Sequence, residues 1–135
     1  MTQVRIKQAA ALLGVSDDTV RRWCDAGRLE STTDSAGRRV IDGTALAAFA
    51  QGLAAGADSP ARPTPSSARN RMPGLVTRVV RDTVMAQVEL QCGPFRVVSL
   101  MSREAADELG LEPGALAIAT VKSTNVVVET EEAGA

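Results

Sequence analysis

Apolar residues recur at helical spacing at Ile6, Ala9, Ala10 and Leu13, which predicts a helix over Ile6–Leu13 ended by a tight turn at Gly14. Ser16 is placed to cap a second helix, with Asp17 and Asp18 in its positively polarised first turn. That helix is expected to run to about Ala26 and close at Gly27. Its inward positions are Val20, Trp23 and Cys24, leaving Ser16, Thr19, Arg21 and Arg22 on the exposed side. Leu29–Thr33 and Arg38–Ile41 are short extended runs around the turn-rich Asp34-Ser35-Ala36-Gly37, the pattern of a hairpin tip. Asp42 then caps a third helix with Leu46, Phe49 and Leu53 as its buried stripe.

From Gly56 to Ser66 the pattern lapses into three prolines with no core-forming residue larger than alanine, so an extended tether is expected over residues 55–66. Periodicity returns as period two. Leu75–Arg81 reads as a strand; Val84, Ala86, Val88 and Leu90 alternate with polar positions in a second strand with one buried face. Phe95–Met101 gives a third strand. Ser102 caps a short helix that Gly110 terminates, and further strands are expected at Ala115–Lys122 and Val126–Glu129. Five short strands with one helix predict a small OB-like, partly open barrel over residues 67–130, followed by a disordered tail at 131–135. The fold class is therefore α+β: a helical head over residues 1–54 with a hairpin wing, then a five-stranded β-barrel.

Composition sharpens this picture. With 135 residues and only Trp23, Phe49 and Phe95 as aromatics, each core is small and aliphatic, and self-association is expected to supplement it. The net charge of -1 conceals a gradient: residues 1–58 carry seven basic and seven acidic groups, residues 74–135 five and nine. A neutral head offers a basic face only if its arginines cluster, as Arg21, Arg22, Arg28, Arg38 and Arg39 do in sequence. Cys24 and Cys92 lie far apart and there is no histidine, which argues against a disulfide framework or a Cys/His zinc site. No run is long and apolar enough to span a membrane and no signal-peptide pattern opens the chain, so a cytoplasmic protein is expected. The lack of His, Tyr, a nucleophile–base pair or a cofactor fingerprint points away from catalysis.

Two kinds of chemistry remain. A helix, a glycine turn and a second helix make a helix-turn-helix signature, whose second helix enters the major groove. The segments Ala9-Ala10-Ala11-Leu12-Leu13-Gly14-Val15-Ser16, Thr19-Val20-Arg21-Arg22-Trp23 and Ala26-Gly27-Arg28-Leu29 resemble the winged helix-turn-helix of the MerR/excisionase type, over most of residues 3–50. The resemblance implies base reading by the second helix and phosphate contacts from the wing, on Thr19, Arg21, Arg22, Arg38 and Arg39. Ser16 and Arg28 complete the expected DNA-binding set. One such head binds double-stranded DNA weakly and in a salt-dependent way, so two or more per molecule are expected.

The second chemistry is that of an oxyanion site. Polar groups suited to an anion occur at Ser67, Arg69 and Asn70, at the helix start marked by Ser102, and at Lys122 and Ser123. Ser67-Ala68-Arg69-Asn70, Gly74, Glu108-Leu109-Gly110-Leu111, Pro113-Gly114 and Val121-Lys122-Ser123-Thr124 resemble a single Mop domain, the TOBE-like molybdate-binding module, over residues 66–130. The resemblance implies that molybdate or tungstate is held between protomers by Ser67, Arg69, Lys122 and Ser123, with Ser102 in place of the usual threonine. Ala105 stands where a second hydroxyl is usual; the missing donor weakens binding by roughly 1 kcal/mol or somewhat more. Joined, the two resemblances imply a molybdate- or tungstate-responsive DNA-binding transcriptional regulator, a homo-oligomer and most readily a hexamer. The alternatives are an intracellular molybdate store with a non-regulatory head and an excisionase-like architectural DNA binder.

Overall fold

The computed structural model describes residues 2–56 and 65–131, arranged in two compact units. The tether expected at residues 55–66 falls mainly on 57–64, and the tail expected at 131–135 on 132–135; these lie outside the described residues. No helix among the described residues is long and apolar enough to cross a membrane.

In the first unit, β1 (Gln3–Arg5) runs directly into α1 (Ile6–Leu13), followed by α2 (Asp17–Asp25). Gly14 takes a φ of 69°, which lets the N–H groups of Gly14 and Val15 turn back onto the carbonyls of Ala11 and Ala10. Ser16 caps α2, its Oγ accepting from the Thr19 N–H at 3.2 Å. The wing arms are β2 (Thr32–Thr33) and β3 (Arg39–Asp42), and α3 (Gly43–Ala55) begins where Asp42 accepts from the Ala45 N–H. β1 was not foreseen: it pairs antiparallel with β3, Val4 opposite Ile41, to give a sheet in the order β1-β3-β2. A three-residue strand that passes into a helix leaves too short an alternation to be read as period two. Val4, Ile6, Ala9, Val20, Ile41 and Leu46 form the core, with Trp23 and Phe49 packed against it. Full burial stabilises each larger aliphatic among them by roughly 1.5–3 kcal/mol.

The second unit is an antiparallel sheet in the order β6-β5-β4-β7, built from β4 (Asn70–Arg81), β5 (Met85–Cys92), β6 (Phe95–Ser102) and β7 (Leu116–Val121). α4 (Arg103–Glu108) lies between β6 and β7. β4 starts five residues earlier than its apolar pattern indicated and changes partners along its length: Asn70–Leu75 pair with β7, Leu75–Arg81 with β5. The proline missed by a strand reading is tolerated because Pro73 faces only β7, so the β5 side makes no demand on its absent N–H. Gly74 marks the changeover. A Cβ there would stand 2.5 Å from Cys92 Sγ and 2.8 Å from the Gln91 carbonyl oxygen, so only glycine lets β4 and β5 approach this closely. Val76, Val88, Leu90, Cys92 and Leu111 fill the core beneath.

Two strand expectations are corrected. Val126–Glu129 is not a strand, so the unit has four strands among the described residues rather than five; a single 3₁₀ turn at Ser123–Asn125 carries the chain off β7, and Val127 and Val128 are left 85% and 82% exposed. Val84 does not join the buried face of β5 but is 67% exposed in the turn before it. There Asp82 Oδ1 accepts from the Val84 and Met85 N–H groups, an arrangement that holds the Asp82 carboxyl below its ordinary pKa.

Candidate anion and nucleic-acid sites

The start of β4 and the end of β7 lie side by side. Asn70 opposes Val121 in the ladder and also donates from Nδ2 to the Val121 carbonyl oxygen at 3.0 Å. Arg69 and Lys122 are the residues immediately outside that last pair, one on each chain segment leaving the ladder end. Both are exposed, and neither takes part in an ion pair among the described residues. Two cations at one ladder end without a carboxylate repel each other and are relieved by an anion between them. Ser67 and Ser123 lie exposed on either flank, and Ala68 is held by its N–H bond to Ser66 Oγ. Five of the six anion-site residues expected from sequence, Ser67, Arg69, Asn70, Lys122 and Ser123, thus gather at one end of the sheet.

Ser102 does not. It ends β6 opposite Met85 and is level with the far end of β4, where Arg81 pairs with Ala86. The 12 residues of β4 lie between that level and Asn70 in register, along a strand that changes partners at Leu75 and carries a bulge between Val76 and Arg78. Its Oγ accepts from the Ala105 N–H at 3.1 Å and so caps α4, which leaves the hydroxyl proton free to donate elsewhere. Around it are Glu104, Asp107 and Glu108 together with Arg103. Asp107 is neutralised by Arg81 at 3.1 Å and Arg103 at 3.7 Å. In ladder register, Ser102 therefore belongs to the α4 end of the sheet and Asn70 and Val121 to the other.

In the first unit, Ser16, Thr19 and Arg22 are linked on α2: the two hydroxyls are 2.9 Å apart, and Arg22 Nη2 donates to Thr19 Oγ1 at 3.2 Å. Arg28 is directed elsewhere, with its guanidinium 5.9 Å from the ring centroids of both Trp23 and Phe49. Arg21 and Arg39 are paired with Asp18 at 3.4 Å and Asp25 at 3.0 Å, and Arg38 with Asp34 at 3.4 Å. Exposed pairs of this kind contribute about 0–1 kcal/mol, so a phosphate can displace the carboxylate. Asp34 also accepts from the N–H groups of Ala36 and Arg38, both at 2.9 Å, which shapes the wing tip. Chiefly through the Arg38 N–H, these bonds hold its carboxyl below the ordinary range.

Arg21, Arg38 and Arg39 share a cleft of about 520 Å³ with Arg5, Lys7 and Asp17. Arg5 and Lys7 lie outside the set expected from sequence; the short alternation of Gln3, Arg5 and Lys7 with Val4 and Ile6 is the pattern that puts them on one exposed side. Among the described residues no group of three or more His, Cys, Asp or Glu side chains is arranged to hold a metal ion.

Two family models match the chain, the TOBE domain over residues 66–128 and the helix-turn-helix domain over residues 4–54. Molybdenum-pterin-binding protein 2 of Clostridium pasteurianum is 38% identical over 63 residues, which is 46% of this chain and 93% of that protein. A solved molybdate-binding protein from Sporomusa ovata is 28% identical with a TM-score of 0.48, covering 50% of this chain and 100% of the other. MopII from Clostridium pasteurianum is 36% identical with a TM-score of 0.46, covering 49% and 100%.

Proposed function

The chain belongs to the TOBE-domain family through residues 66–128 and joins that module to a helix-turn-helix domain over residues 4–54, and on this footing we propose that it is a molybdate- or tungstate-responsive DNA-binding transcriptional regulator. The observation that carries the anion half is the placement of Arg69 and Lys122 next to the two residues, Asn70 and Val121, that close the ladder end. Ser67, Asn70 and Ser123 add donors beside them. A tetrahedral dianion accepts from all of these and removes the repulsion between the two cations.

In this reading the site is completed between chains. Ser102 of one copy supplies a hydroxyl to the Arg69 and Lys122 end of another, and self-association is supported by the uneven distribution of apolar surface. Of the large hydrophobic side chains exposed among the described residues, all but Leu12 lie in the second unit. Leu116, Val127 and Val128 are more than four-fifths exposed, beside a four-stranded sheet with two free edges. Val126–Glu129 then becomes the fifth strand of the barrel only against another copy, and the assembly is a homo-oligomer, a hexamer being the expected size. The functional division is a DNA-binding head over residues 1–54, a tether over 55–66 and an anion domain over 67–130. Molybdate favours one arrangement of the anion domains and so biases the spacing of the heads.

The test is calorimetry with molybdate, tungstate and sulfate, mass determination with and without the anion that binds, and then DNA binding under both conditions. Molybdate or tungstate is expected to bind at micromolar concentration and change DNA affinity. Arg69→Ala or Lys122→Ala is expected to abolish that change and leave basal DNA binding intact. Absence of micromolar binding by either anion sinks the sensor reading.

A further inference from the structure

We propose that Arg5 and Lys7 form a phosphate-backbone clamp for double-stranded DNA, at the junction of β1 and α1 and separate from the recognition helix and the wing. The inference rests on the reading of the first unit as a DNA-binding head. The cleft that holds them is walled by Arg21 from α2 and by Arg38 and Arg39 from the wing. Each of those three arginines already faces a carboxylate of the same unit: Asp18, Asp34 or Asp25. Asp17 is the one acidic residue that lines the cleft itself.

Arg5 and Lys7 differ in that neither takes part in an ion pair or a side-chain hydrogen bond among the described residues, and both are exposed. With Asp17 counted against them, the net positive charge of the cleft comes from these two. Arg5 occupies the position before α1 without using its side chain as a cap, and Lys7 sits in the first turn. The backbone beneath them is fixed, because Arg5 opposes Val40 in the β1–β3 ladder and Ile6 is buried in the core. Two long cationic side chains on an anchored base, between recognition helix and wing, suit the phosphates of the strand that passes between those elements. They contribute affinity without sequence preference.

The experiment uses the full-length protein and a fluorescent duplex of arbitrary sequence, titrated at several salt concentrations. Arg5→Gln/Lys7→Gln is compared with the charge-preserving Arg5→Lys/Lys7→Arg and with Arg78→Gln, which removes one exposed charge from the second unit. Loss of two phosphate contacts is expected to weaken binding by roughly tenfold each at 0.1 M salt and to flatten the log–log salt slope by about 0.9 for each contact. The charge-preserving pair and Arg78→Gln are expected to retain the wild-type slope, with melting curves of all variants superimposable. An unchanged slope and affinity in the double glutamine variant, with the wild type binding normally, overturns the clamp alone. A wild type that shows no salt-dependent DNA binding overturns the head's DNA-binding role and the clamp with it.

Discussion

The side-chain amide of Asn70 bonds to the carbonyl oxygen of Val121 at 3.0 Å, across a ladder in which the same two residues are already register partners. The doubled link locks the first residue of β4 to the last residue of β7, the neighbours in sequence of Arg69 and Lys122. Asn70→Ala is expected to cost about 1 kcal/mol of unfolding free energy, the ordinary worth of one hydrogen bond. Molybdate affinity is expected to fall by more than that loss accounts for, because the two cations lose their fixed spacing. Urea denaturation and calorimetry on the same variant measure the two effects; an anion affinity equal to wild type removes Asn70 from the site.

Among the described glycines of the second unit, Gly74 is the one where an added Cβ meets the closest atoms. Gly74→Ala is expected to destabilise it by about 1–3 kcal/mol through overpacking against Cys92 and the Gln91 carbonyl. In the background of Cys92→Ala the same change is expected to cost less, since the sulfur is gone while the carbonyl contact remains. A double-mutant cycle by denaturation measures the difference, and strict additivity would show that the Sγ contact is not what excludes a side chain there.

Asp34 makes wing stability dependent on acid. Its folded-state pKa is lowered, principally by the Arg38 N–H and then by the Ala36 N–H and the Arg38 charge. A depressed carboxylate pKa contributes stability that is present above the unfolded value, the ordinary 3.8, and is lost as pH falls through the folded value. The melting difference between wild type and Asp34→Ala is therefore expected to be constant from neutral pH to about pH 5 and to shrink below the ordinary carboxylate range. A difference that does not change down to pH 2 contradicts this.

Ala105 is the position where one hydroxyl restores a donor near the capped start of α4. Its N–H already bonds Ser102 Oγ, so a serine side chain there stands in the same first turn. Ala105→Ser is expected to tighten molybdate binding about fivefold, equivalent to one further hydrogen bond of roughly 1 kcal/mol. Calorimetry on the oligomer decides it, with unchanged affinity placing the first turn of α4 outside the anion's reach.

Much of the architecture was legible because its signals are local. Gly14 and Gly27 mark the ends of α1 and α2 by their positive φ, while Ser16, Asp42 and Ser102 mark helix starts by accepting a backbone N–H. Period-two alternation identified β5. The failures were non-local. β4 passes through Pro73 and Gly74 because its partner changes there, and no residue within the strand announces that change. Val126–Glu129 has the composition of a strand but makes no ladder within its own chain. The anion residues were identifiable by type, yet which ones lie together depends on the β4–β7 register; that register gathers five of them and leaves Ser102 at the other end.

Trp23 is the sole tryptophan and the chain has no tyrosine. Its ring centroid is 5.0 Å from that of Phe49, with the Arg28 guanidinium nearby, on the inner side of the helix that carries Arg21 and Arg22. Intrinsic fluorescence excited at the red edge of the absorption band therefore comes from the head alone, and the anion-binding half is optically dark. Any change in emission when molybdate is added is light from the far end of the chain, so the native sequence carries a label-free gauge of whether the two halves communicate.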